Sequence, residues 1–450
     1  MTSTKKRNRL VSSFFKDTSE LSDTQNRVLN RYAYSVVSTT MVCMLGIMLF
    51  YVFALASMYH NQQSGPALWL LSIFSDFVEI MNFSLEETPY IMGEGTGSSY
   101  PPIAIIILYP FAYICKNVFA QYAHEALDID TLTSLVVRHV EFWIAIVLFF
   151  VVCISAIVIL ASKIGKFGPI PSLKLGLIIC CSSPFVYAIM RGNTIYFALI
   201  FVLLFLLLYD SDKPALREIA YISLAIAGAI KIYPLFFGVF LLKSKRFFPV
   251  VRVAVYFLIL FFISFKFFPE QQGAMDSFSE NLQGFMFDPE RLACFRNLSI
   301  TAMLYKLVAL FSPAATEGIG FAVANVVILA IVFALSVITA LYTRSNFSRL
   351  VICFTIIILI PSVTYFYVLV FAIIPFIEYL RSYDSLDRTT QKLYGFMFMF
   401  ILLTPLLLPL IYLPHAIVVL FMAVWEIVKV IKHEIIADSK RKKLQSAETN

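Results

Sequence analysis

Long apolar runs constrain the fold of this chain more than any other feature. Two examples are residues 196–209 (YFALIFVLLFLLLY) and residues 247–268. Inside a bilayer every backbone N–H and C=O must be hydrogen-bonded within the protein, which only helices and closed barrels achieve. Barrel strands would give short segments of alternating hydrophobicity, and the runs here are long and unbroken. The sequence therefore predicts an all-α polytopic membrane protein.

Composition and cysteine usage support this prediction. Of 450 residues 60% are hydrophobic and 14% are charged, whereas soluble domains carry about 25% charged residues. No sizeable soluble domain is expected. The first 33 residues are polar, and the run 36–58 is long enough to span and has no cleavage site, so no cleavable signal peptide is expected. The seven cysteines form no CxxC pair, so neither a disulfide framework nor a metal site is indicated.

The distribution of basic residues predicts the orientation. The first 33 residues contain seven basic and three acidic side chains, and residues 440–443 read KRKK. The positive-inside rule places the tails 1–33 and 432–450 in the cytoplasm, on either side of a membrane domain that covers residues 34–431. The loop 59–100 contains five acidic residues, no Lys or Arg, and one histidine, His60. The loop 269–297 is also acidic. Both loops are expected at the outer face.

The number of crossings follows from the same rule. Thirteen apolar runs can be counted. If all of them crossed the membrane, the lysines of residues 163–174 would lie outside. The conflict disappears if the runs 101–121, 218–242 and 298–312 do not cross fully. About 10–13 membrane segments are therefore expected, of which ten are full crossings.

Two carboxylates in the first outer loop are candidate catalytic groups. The spacing of apolar residues in 69–83 predicts an amphipathic helix on the outer surface, and it places Asp76 and Glu79 on one face. Considered alone, this pattern favours two solvated carboxylates. In the alternative interpretation, Phe74 and Phe77 partly desolvate Asp76, which would strengthen it as a general base.

Two cationic motifs interrupt later apolar runs. Residues 190–193 (MRGN) place Arg191 and Asn193 at the outer boundary, where Arg191 either has a function or extends its charge to lipid headgroups. Residues 229–234 (AIKIYP) contain Lys231, which either marks a cytoplasmic helix end or binds a lipid phosphate. The first interpretation of Lys231 is slightly favoured, because further basic residues follow closely.

The remaining motifs are weaker. Residues 297–300 (NLSI) close the second outer loop, and residues 361–367 (PSVTYFY) break a late helix pair at the outer side, where aromatic residues are usually interfacial. The chain has no P-loop, no GxGxxG after a strand and no HExxH. A nucleotide-driven or metal-hydrolase activity therefore has no support, and no cofactor is expected.

The order of these motifs resembles a known family. SDF in the first outer loop is followed by SSYPP, SPFVYAIMRGN, AGAIKIYPLFFGVFLLKSKR, NLSI and PSVTYFY. This order resembles the polyprenol-phosphate-mannose-dependent mannosyltransferases of glycosyltransferase family 87, which have the GT-C fold, over roughly residues 36–420. The chain departs from the family in two places. Glu79 and its neighbours stand where tyrosines often follow SDF, and Tyr365 stands near a typical tryptophan.

The resemblance implies a GT-C-like helical bundle with outer loops and juxtamembrane helices. Its function would be to transfer a hexose, by default mannose, from a polyprenyl-phosphate donor to an envelope glycan or glycolipid at the outer face of the cell membrane. Membrane lipids would surround it, and no nucleic acid would take part. The implied catalytic base is Asp76, with Glu79 as the nearest rival. The residues implied to bind the donor phosphate are Arg191, Asn193 and Lys231. The residues implied to line the cleft for acceptor and donor are Tyr100, Pro101, Asn297 and Tyr365.

A flippase for polyprenyl-linked sugars, or another multi-pass transporter, is the alternative. Such a protein would favour internal repeats and charged residues in mid-span. The chain shows no repeat between its halves, and its polar residues cluster in the loops of one face. Asp76, Arg191 and Asn193 gathered at one outward cavity would favour the enzyme, whereas a central path with two gates would favour the transporter.

Overall fold

A computed structural model describes residues 21–61, 73–91, 97–122, 127–243, 247–268, 273–403 and 412–432, with the side chains of 44–61 and 412–413 not described. The predicted tail residues 1–20 and 433–450 lie outside the described residues. Residues 69–72 of the predicted outer helix, residues 92–96 of the first outer loop and residues 269–272 of the second also lie outside them.

The described residues form helices and contain no β-strand, which confirms the predicted fold class. The helices of ten or more residues are Asp23–Asn61, Ser75–Leu85, Val140–Gly165, Pro169–Cys181, Ile195–Leu208, Pro214–Ile230, Phe247–Ser264, Ala274–Phe287, Ile300–Phe311, Ile319–Tyr342, Asn346–Leu359, Ile373–Ser382, Arg388–Leu403 and Tyr412–Val430. The shorter α-helices are Pro102–Ile106, Tyr109–Ile114, Lys116–Tyr122, Ile129–Val136, Ser183–Arg191, Val239–Lys243 and Pro289–Ala293. The 3-10 helices are Tyr233–Gly238, Phe265–Phe267, Pro313–Glu317, Phe366–Ala372 and Tyr383–Ser385.

Fewer helices qualify as straight membrane spans than the apolar runs predict. In the described part of the chain four helices are long and apolar enough to cross a membrane, or up to six if two bent pairs each count as one span. One bent pair, Pro102–Ile114 with Lys116–Tyr122, turns by 92°, in agreement with the expectation that this run does not cross straight. The predicted ten crossings exceed this number because runs such as Ile195–Leu208 form helices of only 14 residues.

The spans differ in how much of their surface contacts protein. Only 6% of the most apolar window of Ile319–Tyr342 is buried inside the molecule, compared with 72% for Phe366–Ser385. Phe248 and Phe311 are 82% and 84% exposed, a pattern that suits a lipid-facing surface. The Asn346–Leu359 helix is buried from Phe347 to its last residue. Lipid-facing helices therefore surround helices that are buried in protein.

A helical hairpin positions one end of the functional site. Ile195–Leu208 packs against Pro214–Ile230 after a short connection, and Val140–Gly165 and Phe247–Ser264 pack on this pair. Asn193 comes directly before the hairpin, and Lys231 comes directly after it. Since the two helices run in opposite directions, Asn193 and Lys231 lie at the same end of the bundle.

The acidic helix, Ser75–Leu85, differs from the predicted surface helix. It packs against Pro102–Ile106, Tyr109–Ile114 and Ile129–Val136, and eight of its eleven residues are buried. The prediction of an amphipathic helix on the outer surface was wrong, because these short helices cover the face that would otherwise contact water. The two loops that are predicted to lie outside also meet, since Asn281 Nδ2 donates a hydrogen bond of 3.0 Å to the backbone oxygen of Tyr90.

Candidate functional site

Asp76 is the centre of a buried polar cluster. Asp76 lies on the acidic helix and is only 3% exposed. Arg191 forms an ion pair with its Oδ1, and Asn193 Nδ2 donates a hydrogen bond of 2.7 Å to its Oδ2. The amide of Asn193 is oriented in turn, because its Oδ1 accepts the backbone N–H of Ile195 at 3.0 Å. Both carboxylate oxygens are therefore held in fixed positions.

A backbone contact brings these distant residues together. The N–H of Phe74 donates to the backbone oxygen of Met190 at 2.6 Å, which fixes the start of the acidic helix beside the end of Ser183–Arg191. Phe74 has a positive φ of 68°, an uncommon conformation for a residue with a side chain. Its ring packs on Phe142 and Trp143 with centroids 5.6 and 5.9 Å away. This packing holds the residue in its strained conformation and thereby positions Asp76.

Gly192 is required at the point of closest approach. It ends the Ser183–Arg191 helix with a φ of 66°, and a Cβ added there would lie 2.4 Å from the Cβ of Phe77. A positive φ favours glycine, and the short distance excludes any larger residue without movement of the backbone. Gly192 therefore lets the acidic helix approach the turn that carries Arg191 and Asn193.

Glu79 and Lys231 add a second pair of opposite charges. Glu79 is partly buried one turn after Asp76, and its pKa rises to about 7, first because of burial and second because of the nearby charge of Asp76. Burial lowers the pKa of Lys231 to about 8, although Asp76 and Glu79 oppose that change. Both groups therefore titrate close to neutral pH, as groups in functional sites often do.

Tyr100 lies between these charges and the next helix. Lys231 Nζ sits over its ring, 4.8 Å from the centroid, and the charges of Asp76 and Glu79 act on its hydroxyl. Its backbone N–H donates to Ser98 Oγ at 3.1 Å. Pro101 is the N-cap of Pro102–Ile106, so its role is to set the start of that helix. The structure places Tyr100 at the site and gives Pro101 a backbone role.

Asn297 is a structural residue beside the site. It is 1% exposed, and its Nδ2 donates to the backbone oxygens of Arg291 and Ser362 at 3.2 and 3.0 Å. Its Oδ1 accepts from the N–H groups of Ser299 and Thr364 at 3.2 and 3.0 Å. These four contacts join the end of the second outer loop to the segment before Phe366–Ala372.

Tyr365 lies on that joined segment. Its neighbours include residues that were not predicted from the sequence as site residues. Tyr365 forms an isolated antiparallel β-bridge with Asn297, and the charge of Arg291 acts on its hydroxyl. Its ring is 6.1 Å from that of Tyr367, and the Tyr367 ring stacks on Tyr187 at 6.4 Å. The charges of Asp76 and Arg191 reach both Tyr187 and Tyr367. The charge of Arg296 acts on the hydroxyl of Tyr187.

The signal for these additional residues was present in the sequence. Tyr187 lies inside SPFVYAIMRGN, Tyr367 ends PSVTYFY, and Arg291 and Arg296 are the only basic residues of the second acidic loop. The interpretation of the late tyrosines as interfacial residues was wrong for Tyr367, because its ring packs inside the polar cluster.

This geometry bears on three further interpretations. Asp76 is buried and paired, so its description as a solvated surface carboxylate was wrong. Arg191 pairs with Asp76, so a carboxylate of the protein compensates its charge and contact with lipid headgroups is not required. Lys231 lies near Asp76, so the two residues belong to the same end of the bundle and the same side of the membrane.

The described residues contain no group of three His, Cys, Asp or Glu side chains that could hold a metal ion. A cavity of about 90 Å³ lies away from Asp76, and its lining includes Tyr209, Asn346, Glu378 and Arg381. It adjoins the start of the first helix, since Gln25 Nε2 donates to the Arg381 backbone oxygen at 2.9 Å. This cavity is therefore separate from the polar cluster.

Comparison with known proteins identifies the family of the chain. The family described as glycosyltransferase family 87 matches residues 99–362. That range includes Tyr100, Arg191, Lys231 and Asn297, whereas Asp76 precedes it. No curated protein and no solved structure matches the chain. Since the family match covers more than half of the 450 residues, the protein belongs to glycosyltransferase family 87 and is a membrane glycosyltransferase.

Proposed function

We propose that this protein transfers a hexose, with mannose as the first candidate, from a polyprenyl-phosphate donor to an envelope glycan or glycolipid at the outer face of the cell membrane. Both termini would lie in the cytoplasm. One observation supports this proposal above the others: a buried carboxylate and a cation, 115 positions apart, are in direct contact in a chain of a glycosyltransferase family.

Asp76 is proposed as the general base. A sugar hydroxyl is a weak nucleophile, and a carboxylate within hydrogen-bond reach can accept its proton during attack on the anomeric carbon. Arg191 and Asn193 orient the carboxylate and compensate its charge, while each carboxylate oxygen keeps a lone pair for the incoming proton. The positions of both oxygens would thus be set before substrate binds, which is how a catalytic group becomes effective.

The reaction forms one bond and breaks another. The acceptor oxygen bonds to the anomeric carbon, and the bond from that carbon to the phosphate oxygen breaks with its electron pair left on the lipid phosphate. The acceptor proton moves to Asp76, and cations stabilise the charge that develops on the leaving group. Arg191 and Lys231, which lie near Asp76, are proposed to serve this purpose, and Asn193 acts through Asp76.

Glu79 is the nearest rival for the base. It lies one turn after Asp76, and its pKa of about 7 suits proton transfer at neutral pH. Tyr100 lies near both carboxylates and is proposed to line the acceptor cleft, together with Tyr365. Pro101 and Asn297 are proposed to shape that cleft through the backbone.

A transfer assay tests this function. The purified full chain in lipid nanodiscs would be given a polyprenyl-phosphate sugar and membrane-lipid acceptors, and products would be identified by mass spectrometry. D76N should lose at least about a hundredfold in rate, in line with the loss of a general base. D276N removes an exposed carboxylate of the second outer loop and should retain full activity.

Two outcomes would contradict the proposal. In the first, correctly folded D76N transfers sugar at the wild-type rate, which would remove Asp76 as the base. In the second, the wild-type chain moves lipid-linked sugar between leaflets of a vesicle and forms no glycosidic product, which would favour the transporter.

A further inference from the structure

One partly buried arginine at the edge of the site has no acidic partner among the residues that the structure describes. Arg296 lies between the Pro289–Ala293 helix and Asn297, and its guanidinium is 5.4 Å from the centroid of the Phe295 ring. Its charge acts on the hydroxyl of Tyr187. In the described ranges no carboxylate forms an ion pair with it. A partly desolvated cation without a counter-charge is costly, so the position favours an anion from outside the chain.

A second arginine lies five positions earlier on the same outer segment. Arg291 Nε pairs with Asp288 Oδ2 at 3.1 Å, and its guanidinium lies 4.2 Å from the centroid of the Phe285 ring. Its charge also acts on the hydroxyl of Tyr365. A guanidinium has five N–H donors in a planar fork, so these contacts leave donors for a further ligand.

Three tyrosines connect the two arginines. The charge of Arg291 acts on Tyr365, and the ring centroid of Tyr365 lies 6.1 Å from that of Tyr367. The Tyr367 ring stacks on the Tyr187 ring, with centroids 6.4 Å apart and an interplanar angle of 13°. Tyr187 is the residue on which the charge of Arg296 acts. Arg291 and Arg296 therefore border one aromatic wall, which ends beside Asp76.

The cations close to the site differ in their partners. Arg191 is paired with Asp76, and Arg291 is paired with Asp288. Glu79 and Lys231 carry opposite charges and act on each other. In the described part of the chain Arg296 has no ion-pair partner, and unlike the exposed Arg138 it is partly buried. Guanidinium groups bind phosphate with two parallel hydrogen bonds, and hydroxyl groups complete such sites.

We propose that Arg296, together with Arg291 and the hydroxyl groups of Tyr187 and Tyr365, binds the phosphate of a lipid substrate. The inference rests on the proposed function and refines it: Arg296 holds the phosphate, while Arg191 holds Asp76. The phosphate can belong to the polyprenyl donor or to a phospholipid acceptor, and the chemistry of recognition is the same for both.

Binding of lipid phosphates to the full chain in nanodiscs tests the site without any need for turnover. The probes are decaprenyl phosphate, decaprenol and phosphatidic acid, and native mass spectrometry measures their affinities. R296Q should bind lipid phosphate about tenfold to a hundredfold more weakly, the effect of losing charge-assisted hydrogen bonds, with decaprenol binding unchanged. R291Q should show a smaller loss, and R296K should recover part of the affinity.

Arg138 provides a matched control. It is exposed at the same end of the bundle, where its Nε donates to the Ser134 backbone oxygen at 3.1 Å, and R138Q should bind lipid phosphate as the wild type does. Wild-type affinity in both R296Q and R291Q, each eluting as a single folded species, would overturn the proposal. No preference of the wild type for lipid phosphate over decaprenol would also overturn it.

The same experiment identifies the source of the phosphate and separates this inference from the proposed function. Preference for decaprenyl phosphate assigns the site to the donor, and preference for phosphatidic acid assigns it to the acceptor. D76N should lose transfer and keep lipid-phosphate binding. If the wild type binds lipid phosphate through Arg296 but transfers no sugar, the transferase proposal fails and the phosphate site stands.

Discussion

Arg191 and Asp76 lie 115 positions apart in the sequence and form a direct ion pair. Asp76 is buried, whereas 29% of the Arg191 side chain is exposed. The contact depends on two backbone features, the Phe74 to Met190 hydrogen bond and the glycine that follows Arg191. Because the pair joins the first outer loop to the middle of the chain, it links stability to the geometry of the proposed base.

The energy of this pair can be separated from the cost of burying Asp76. R191Q should destabilise the protein by about 1–3 kcal/mol, less than the usual cost of breaking a fully buried pair because Arg191 is partly exposed. The double variant D76N/R191Q should be more stable than R191Q, since no buried charge is left alone. Thermal unfolding of the four proteins in detergent measures the coupling. Strict additivity of the two changes would contradict the ion pair.

Gly192 should tolerate no side chain. G192A places a Cβ 2.4 Å from that of Phe77 at a φ of 66°, so we expect a loss of about 2–4 kcal/mol in stability and at least tenfold in transfer rate. G273A is the matched control, because Gly273 has a φ of 74° and open space around its Cβ position. G273A therefore carries the backbone cost of about 1 kcal/mol alone. Equal losses in the two variants would show that contact with Phe77 is unimportant.

Glu79 should make stability depend on pH. Its pKa rises from 4.5 to about 7, chiefly by burial. The folded chain thus keeps a proton that the unfolded chain releases, and this part of the stability is lost as pH rises from about 4.5 to 7. The charges that face Glu79 are Asp76, Arg191, Arg291 and Lys231.

E79Q removes this titration. Its stability relative to the wild type should therefore increase by about 1–2 kcal/mol between pH 5 and pH 7.5, after a discount for partial exposure. E280Q, which changes an exposed carboxylate of the second outer loop, should show no such trend. Denaturation midpoints at four pH values provide the measurement, and a constant difference between E79Q and the wild type would contradict the raised pKa.

Asn297 should matter for stability more than for chemistry. N297A removes a side chain with four backbone contacts in a residue that is 1% exposed, which should cost about 2–4 kcal/mol. N82A, at a partly buried asparagine of the acidic helix, should cost less than about 1 kcal/mol. If N297A unfolds at the wild-type temperature but loses transfer, Asn297 contacts substrate instead.

The orientation can be tested by labelling. In intact cells a membrane-impermeant maleimide should label D276C above the wild-type background, because the second outer loop is proposed to face outward. T389C, at an exposed residue near the Arg388–Leu403 helix start, should be labelled only after the membrane is opened. The reverse pattern would place Asp76 on the cytoplasmic side and contradict an outer-face reaction.

Hydrophobicity alone was sufficient to predict the class of fold. The runs that include 247–268 and 319–342 form long helices with exposed apolar faces, as lipid contact requires. Hydrophobicity was less informative about helix length and burial. Asn346–Leu359 and Ile195–Leu208 are as apolar as spans and yet only 14 residues long, because an apolar run suits protein contact as well as lipid contact. For the same reason the acidic helix, predicted at the surface, is buried.

The all-α membrane class, the resemblance to the matching family and the unusual polar residues could be predicted without a structure; those residues are Asp76, Arg191, Asn193 and Lys231. How these residues combine became visible in the folded molecule. It pairs Arg191 with Asp76, leaves Arg296 beside Tyr187, and assigns Asn297 to the backbone. The physical reason is that apolar periodicity reflects the local surroundings of each residue on its own helix. A charge pair between distant segments depends instead on how their helices pack.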